Sequence, residues 1–305
     1  MKIIEREFFG EVDLHAMADL VRKFPTENLH VVDLPYRLSS WSFDYPENIR
    51  LWSAETGQLL AWAVLHVPFW MIDYAYNPDV NHNLHGQVLK WADGQARRIV
   101  GTPSGHRAWY VTVLSSQVDR IRDLERDGFA SQADVGDNSW SQVLMGRSMQ
   151  IPVDDMYLPN DLHIRPLDGA KEVEAYVELH QAVFESRNMT PEWRSRTLQR
   201  PEYIPDLDLV MVAPDGHLAA FCVCWLAKAA NGEINGQIEP LGVHADFRKR
   251  GLGKAILVDG LKRLRSKGAE NIYVQTDNYR DAAFRLYESA GFQVLQDILV
   301  YRKDY

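Results

Sequence analysis

Residues 243–257 read V-H-A-D-F-R-K-R-G-L-G-K-A-I-L. Arg248, Lys249 and Arg250 run into Gly251 and Gly253, with Leu252 between the glycines and Lys254 after them, where a helical pattern begins. The first N–H groups of a helix have no intrahelical partner, and the helix dipole is positive there, so such a start can hold an anion. Glycine keeps side chains out of the ligand's way; a simple turn is the alternative. Three phosphate-binding patterns compete. A P-loop needs Ser or Thr after Gly-Lys, and Ala255 stands there. A dinucleotide fingerprint needs a third glycine where Ile256 stands, and a chain of parallel βαβ units around it. The pattern [RQ]-x-x-G-x-[GA] between a strand and a helix is met by Arg248, Gly251 and Gly253.

The elements around this loop follow from periodicity. A strand is predicted over 162–165, a helix from Asp168 towards Phe184, and a shorter helix opening at Pro191. Strands over 208–213 and 218–226 flank the turn A-P-D-G-H. A strand over 237–243 carries Pro240, which cannot donate to a ladder and so belongs at an edge or bulge. Leu257, Leu261 and Leu264 mark an amphipathic helix over 251–267, stopped by Gly268. A strand over 271–276, a helix over 281–290 ended by Gly291, and two short strands complete this half. The first half repeats the order: strands over 49–54, 59–67 and 70–76, a helix start within 77–91, a strand over 108–113, and a helix ending L-E-R-D-G-F. Gly128 stands opposite Gly291 (291 − 128 = 163) and Asp79 opposite Asp246 (246 − 79 = 167), which suggests duplication. The expected fold is therefore α/β with a mixed (α+β) sheet, in two tandem domains of one type. Residues 1–150 and 161–305 form the domains, joined by the proline-bearing linker 151–160.

Composition narrows the class. The chain of 305 residues has 46% hydrophobic and 25% charged residues, ordinary for a globular protein. A net charge of −9 argues against nucleic acid as a partner. No apolar run is long enough to span a membrane, and the start turns acidic too early for a signal peptide, so a cytoplasmic location is expected. Cys222 and Cys224, two apart in an apolar strand, read as core packing in a reducing compartment. His180, His217 and His244 show no metal spacing, and no metal is expected.

Three stretches in order, I-E-P-L-G-V (238–243), R-K-R-G-L-G-K-A (248–255) and N-x-x-x-A-A-F-x-L-Y-E-S-A-G-F (278–292), make residues 162–305 resemble the GNAT superfamily of acyl-CoA-dependent N-acyltransferases. The resemblance implies acetyl-CoA as co-substrate, its pyrophosphate on the helix start at residues 248–254. It also implies a pantetheine arm between two splayed parallel strands, bonded by backbone of Leu241, Gly242 and Val243. Asn278 falls in the third motif, but nine residues before Tyr287 (287 − 278 = 9), a longer gap than is usual in the family.

It further implies direct attack of an amine on the thioester in a ternary complex. Tyr287 stands where the family's general acid meets the thiol, and a phenol stays protonated at neutral pH. Glu239 stands where members often carry a base; an exposed strand glutamate is the alternative. Acceptor contacts are expected around 185–200 and from the other domain. The tandem arrangement is similar in architecture to the mycothiol-synthase type. In the first half Asn81, Leu84 and Gly86 replace Arg248, Gly251 and Gly253, and Leu124 replaces Tyr287. Leu84 is expected to obstruct the phosphate site, so one acetyl-CoA binds per chain, and the second domain alone should keep most of that affinity. The expected activity is N-acetylation of a primary amine, small molecule or peptide, by a monomer or homodimer. Transfer of a longer acyl group, or a CoA-binding sensor without turnover, are the alternatives.

Overall fold

The computed structural model describes residues 2–80, 83–133, 140–159, 161–229, 231–277 and 281–305. The first half runs β1 (Ile3–Arg6), α1 (Glu11–Lys23), α2 (Leu34–Leu38), β2 (Ile49–Ala54), β3 (Leu59–His66), β4 (Met71–Tyr76), α3 (Asn83–Ile99), β5 (Ala108–Leu114), α4 (Val118–Arg126), β6 (Ala130–Ser131) and β7 (Ser141–Ser148). The second half runs β8 (His163–Pro166), α5 (Val173–Phe184), α6 (Pro191–Gln199), β9 (Asp208–Val212), β10 (Leu218–Lys228), β11 (Ile234–Val243), α7 (Leu252–Ser266), β12 (Asn271–Asp277), α8 (Asp281–Ser289) and β13 (Gln293–Asp304). The same succession of strands and helices appears twice. The predicted strands and helices form within a few residues of their expected bounds. The end of the chain is one strand rather than two short ones, with a register shift between Val294 and Gln296.

Local chemistry sets the helix ends. Thr190 accepts from Trp193 N ahead of Pro191, a side-chain cap followed by the residue whose missing N–H costs least there. Asp168 does not cap α5 with its side chain: a 3-10 turn (Gly169–Glu172) intervenes, and the Glu172 carboxylate instead accepts from the Asp168 N–H. The apolar stripe of α7, including Leu257, Leu261 and Leu264, packs on Leu209, Ile238, Ile272 and Val274. Cys222 and Cys224 are buried in the same core as free thiols, as expected. In the first half Leu84, Val88, Ala92 and Ala96 of α3 cover Ala61, Ala63 and Val111, while Leu14, Met17 and Val21 of α1 cover the opposite face.

One sheet runs through both halves in the order β1-β2-β3-β4-β5-β13-β7-β12-β11-β10-β9-β8. Its centre is exchanged. The first half's last strand, β7, lies antiparallel to β12, while β13, the second half's last strand, lies antiparallel to β5. The two exchanged strands also pair with each other. A cluster joins the halves above the sheet, where Val32 and Tyr36 pack among Tyr176, Trp193, Phe221 and Trp225.

Candidate active site

The parallel strands β11 and β12 pair only from Asn235↔Asn271 to Gln237↔Tyr273 and then separate. On its other edge β11 stays paired with β10, with a register shift between the pairs Ile238↔Cys224 and Leu241↔Cys222. Glu239 and Pro240 thus share one partner position, a bulge that places Pro240 as the sequence required. The His244 N–H bonds Ala219 O. Alternation then turns the Gly242 backbone towards β10, and the N–H and C=O groups of Leu241 and Val243 towards the gap. Gly242 lies away from the gap: a Cβ there would sit 2.5 Å from Val183 Cγ1 and 2.7 Å from Phe221 Cζ.

At the end of β11 the chain turns into α7 through two left-handed residues, Lys249 at φ 62° and Gly251 at φ 76°. Gly251 is the N-cap, and no side chain caps the helix. The N–H groups of Lys254 and Ala255 both turn back to Gly251 O, so the amides before them point out of the helix end. Leu252 is buried in the core. Gly253 sits where α7, β11 and α8 converge: an added Cβ would be 3.5 Å from both Val243 Cγ2 and Leu286 Cδ2. Arg248 and Arg250 are held by protein groups. Arg248 donates to Val243 O (3.1 Å) and Val183 O (3.3 Å), and Arg250 approaches Asp161 at 3.4 Å. Lys249 is exposed and Lys254 half-buried beside them. Asn278 and Asn81 lie outside the described residues.

The gap opens into a cavity of about 720 Å³ that brings Glu239, Leu241 and Tyr287 together. Tyr287 is 6% exposed, its ring edge-on to Phe292 at 5.7 Å. Glu239 is half-buried, and its carbonyl accepts from Trp225 Nε1 at 2.8 Å. Glu185, Ser186 and Asn188 line one wall, within the stretch expected to meet the acceptor. The opposite wall belongs to the first half: His30, Asp33, Arg37, Phe69, Trp70, Tyr110 and Trp140. Trp140 Nε1 and Gln142 Nε2 both donate to Asp277 Oδ1, at 3.1 and 2.8 Å, and tie this wall to β12. None of these first-half residues has a motif around it. Their loops gain a role only where the exchanged sheet sets the two halves face to face.

Arg37 is held by Asp73, with contacts of 2.9 and 2.6 Å. Burial opposes its charge, but Asp73, Asp33 and Glu239 together keep the guanidinium pKa above its usual range. His66 Nε2 stands 3.2 Å from Asp73 Oδ2 and its Nδ1 bonds Ser42 Oγ at 2.9 Å, yet burial pushes the imidazole down to about 4, so a neutral ring faces the carboxylate at neutral pH.

The equivalent gap in the first half is filled. β4 and β5 pair at Met71↔Tyr110. Beyond that pair Arg120 lies 4.4 Å over the Tyr76 ring, and His85 bridges Asp123 (2.7 Å) and Tyr74 OH (3.1 Å). Residues 27–30 enter from outside, with Gln117 Nε2 donating to Glu27 O at 2.9 Å, and leave a cavity of about 40 Å³. This corrects the expected role of Leu84. Its side chain is 1% exposed, inside the core beneath α3 just as Leu252 is beneath α7, and obstructs nothing. The obstruction comes from Tyr74, Tyr76, His85, Arg120 and the 27–30 segment. Leu124 is fully buried in the same core.

Among the described residues no three His, Cys, Asp or Glu side chains group as a metal site, and no helix is long and apolar enough to cross a membrane.

Residues 173–292 match the acetyltransferase (GNAT) family. A mycothiol acetyltransferase of Thermobispora bispora is 30% identical over 165 residues, covering 52% of this chain and 56% of that protein. The one from Kineococcus radiotolerans is 37% identical over 137 residues, covering 43% and 42%. The chain thus spans about half the length of the curated relatives it matches. Two solved structures share the fold over nearly the whole chain. A GCN5-related N-acetyltransferase from Sphaerobacter thermophilus superposes with a TM-score of 0.65 at 20% identity, covering 99% of this chain and 95% of that one. A tandem GNAT protein from the clavulanic acid biosynthesis pathway gives 0.67 at 10% identity, covering 99% and 98%.

Proposed function

We propose that this chain, whose residues 173–292 match the acetyltransferase (GNAT) family, transfers an acetyl group from acetyl-CoA to a primary amine held between its two halves. One observation carries the reading: Glu239, Leu241 and Tyr287 line a single cavity where β11 and β12 separate. The site's donors fit acetyl-CoA. Outward amides at the start of α7, with Lys249 and Lys254 beside them, suit a pyrophosphate. The Leu241 and Val243 backbone suits the amides of a pantetheine arm, which would add to β11 like a strand.

In this reading the Val243 or Leu241 N–H polarises the thioester carbonyl. Glu239 takes a proton from the attacking nitrogen, and Tyr287 gives its phenolic proton to the departing sulfur. Arg248, already bonded to Val243 O, shapes the mouth of the gap rather than meeting phosphate alone. The first half, residues 1–150, binds no CoA and builds the acceptor wall; residues 151–160 link it to residues 161–305. The relatives named mycothiol acetyltransferases support acetyl as the group transferred. Acceptor assays test the reading: the chain is incubated with acetyl-CoA and a panel of primary amines, and both free CoA thiol and acetylated amine are measured. CoA binding without turnover on any amine would favour a sensor, and faster turnover of longer thioesters would favour another acyl donor.

A further inference from the structure

We propose that His30, oriented by Asp33, is a catalytic base supplied by the first half, which takes the proton from the acceptor's ammonium before attack. The proposal rests on the acetyl-transfer reading above. It starts from His30 Nδ1, 3.0 Å from Asp33 Oδ2. An imidazole that donates Nδ1–H to a carboxylate presents Nε2 as a proton acceptor. Among the described residues no hydrogen bond is made by that Nε2, and both residues line the large cavity.

A local structural job for Asp33 fits poorly. The residue is the N-cap of α2, yet its side chain makes no capping bond. It is 2% exposed, and its Oδ1 has no hydrogen-bond partner among the described residues. A buried carboxylate oxygen left so is costly unless positive charge stands close. Arg37 supplies part of that charge, and an imidazolium formed at His30 would supply the rest during turnover. The loop is also anchored to the second half's gap: Gln275 Nε2 of β12 donates to Leu29 O at 3.3 Å, one residue from His30. The charged groups around the ring are Asp33 on its own loop, Arg37 on α2 and Asp73 on β4, with the titratable but neutral His66 on β3. Glu185, Glu239 and Asp277 face it across the cavity.

Two protons leave the nitrogen in the reaction, and the site then has a receiver for each. An ammonium has no lone pair, so its first proton passes to His30 Nε2 and on to solvent. The freed pair attacks the thioester carbon; the C–N bond forms and the C–S bond breaks. The second N–H proton passes to Glu239, the sulfur takes the Tyr287 proton, and the Glu239 proton restores the phenol. The balance is ammonium plus thioester giving amide, thiol and one proton.

The test compares acceptors that do and do not need the first step. Benzylamine and spermidine are ammonium ions at neutral pH, whereas hydroxylamine is already neutral. His30→Ala should lose roughly 10²-fold in kcat/KM with the two amines, keep most of its rate with hydroxylamine, and regain amine turnover with added imidazole. The gap between the two acceptor types should close at high pH, where the amines lose their own protons. Asp33→Asn, which cannot hold the same tautomer as a carboxylate does, should move in the same direction by a smaller factor. His30→Gln serves as the second variant should the alanine protein misfold. Equal losses on both acceptor types, or no loss on either, overturn the proposal while leaving acetyl transfer standing. A wild-type chain that binds acetyl-CoA and acetylates none of the three overturns the transfer reading, and this proposal with it.

Discussion

Tyr36 of the first half and Trp193 of the second pack with ring centroids 5.2 Å apart, and Trp193 Nε1 donates to Tyr36 O at 3.1 Å. Both residues are buried, so this contact belongs to the interior and is not a surface touch. With β7 and β13 exchanged beneath it, neither half owns a complete sheet. The cavity wall carrying His30, Asp33 and Arg37 is therefore set against Glu239 and Tyr287 by interior packing and a shared sheet.

This changes what excision should do. Residues 161–305 alone lack β7, leaving β12 and β13 without the strand between them. The isolated half should aggregate or bind acetyl-CoA weakly, against the expectation from sequence that it keeps most of the affinity. The full chain should saturate near one equivalent in calorimetry, because the first half's gap is filled. Two equivalents per chain would mean that the 27–30 segment can be displaced.

Replacing Tyr287 by Phe removes one oxygen from a buried ring and leaves its contact with Phe292. Acetyl-CoA affinity should stay close to normal while kcat falls roughly 10²-fold. A kcat unchanged across the pH range would leave Tyr287 with packing as its only role.

A methyl at Gly253 would meet Val243 and Leu286 at ordinary contact distance, so the fold should accept Gly253→Ala. The branched side chain of Gly253→Val needs more room exactly where α7, β11 and α8 meet the gap. Acetyl-CoA binding should weaken at least tenfold with little change in melting temperature. Unchanged affinity would move the phosphate site elsewhere.

Burial pushes His66 and His85 down to about 4 and His180 to about 3, from a reference value of 6.5. Each is neutral in the folded chain near neutral pH. Below about pH 6.5 the unfolded chain takes up protons that the folded chain refuses, so stability falls with pH until the folded values are reached. The loss should be on the order of a few kcal/mol per ring over that window. Urea midpoints measured from pH 7.5 to 4.5 should drop steadily below pH 6.5, and less steeply in His180→Phe. A flat profile would show that these rings are not held neutral.

Much of this protein was legible in sequence because its signals are local. Glycine and basic residues at a helix start, a proline within a strand, and the leucine period of α7 act over a few residues, and the chain folds there as read. Helix α1 carries such a signal too, with Leu14, Met17, Ala18 and Val21 at helical spacing. The exchange of β7 and β13 had none, because strand pairing depends on partners more than a hundred residues away. The same distance hid the first half's wall of the cavity. His30, Asp33 and Trp140 carry no motif, and only the shared sheet brings them to Glu239 and Tyr287. The filling of the first half's gap was equally a tertiary matter. Leu84 stands in sequence opposite Gly251, but its side chain follows the apolar stripe of α3 into the core, leaving His85 and Arg120 to close the space. Periodicity determined which elements form; packing between distant segments decided which side chains face the cavity.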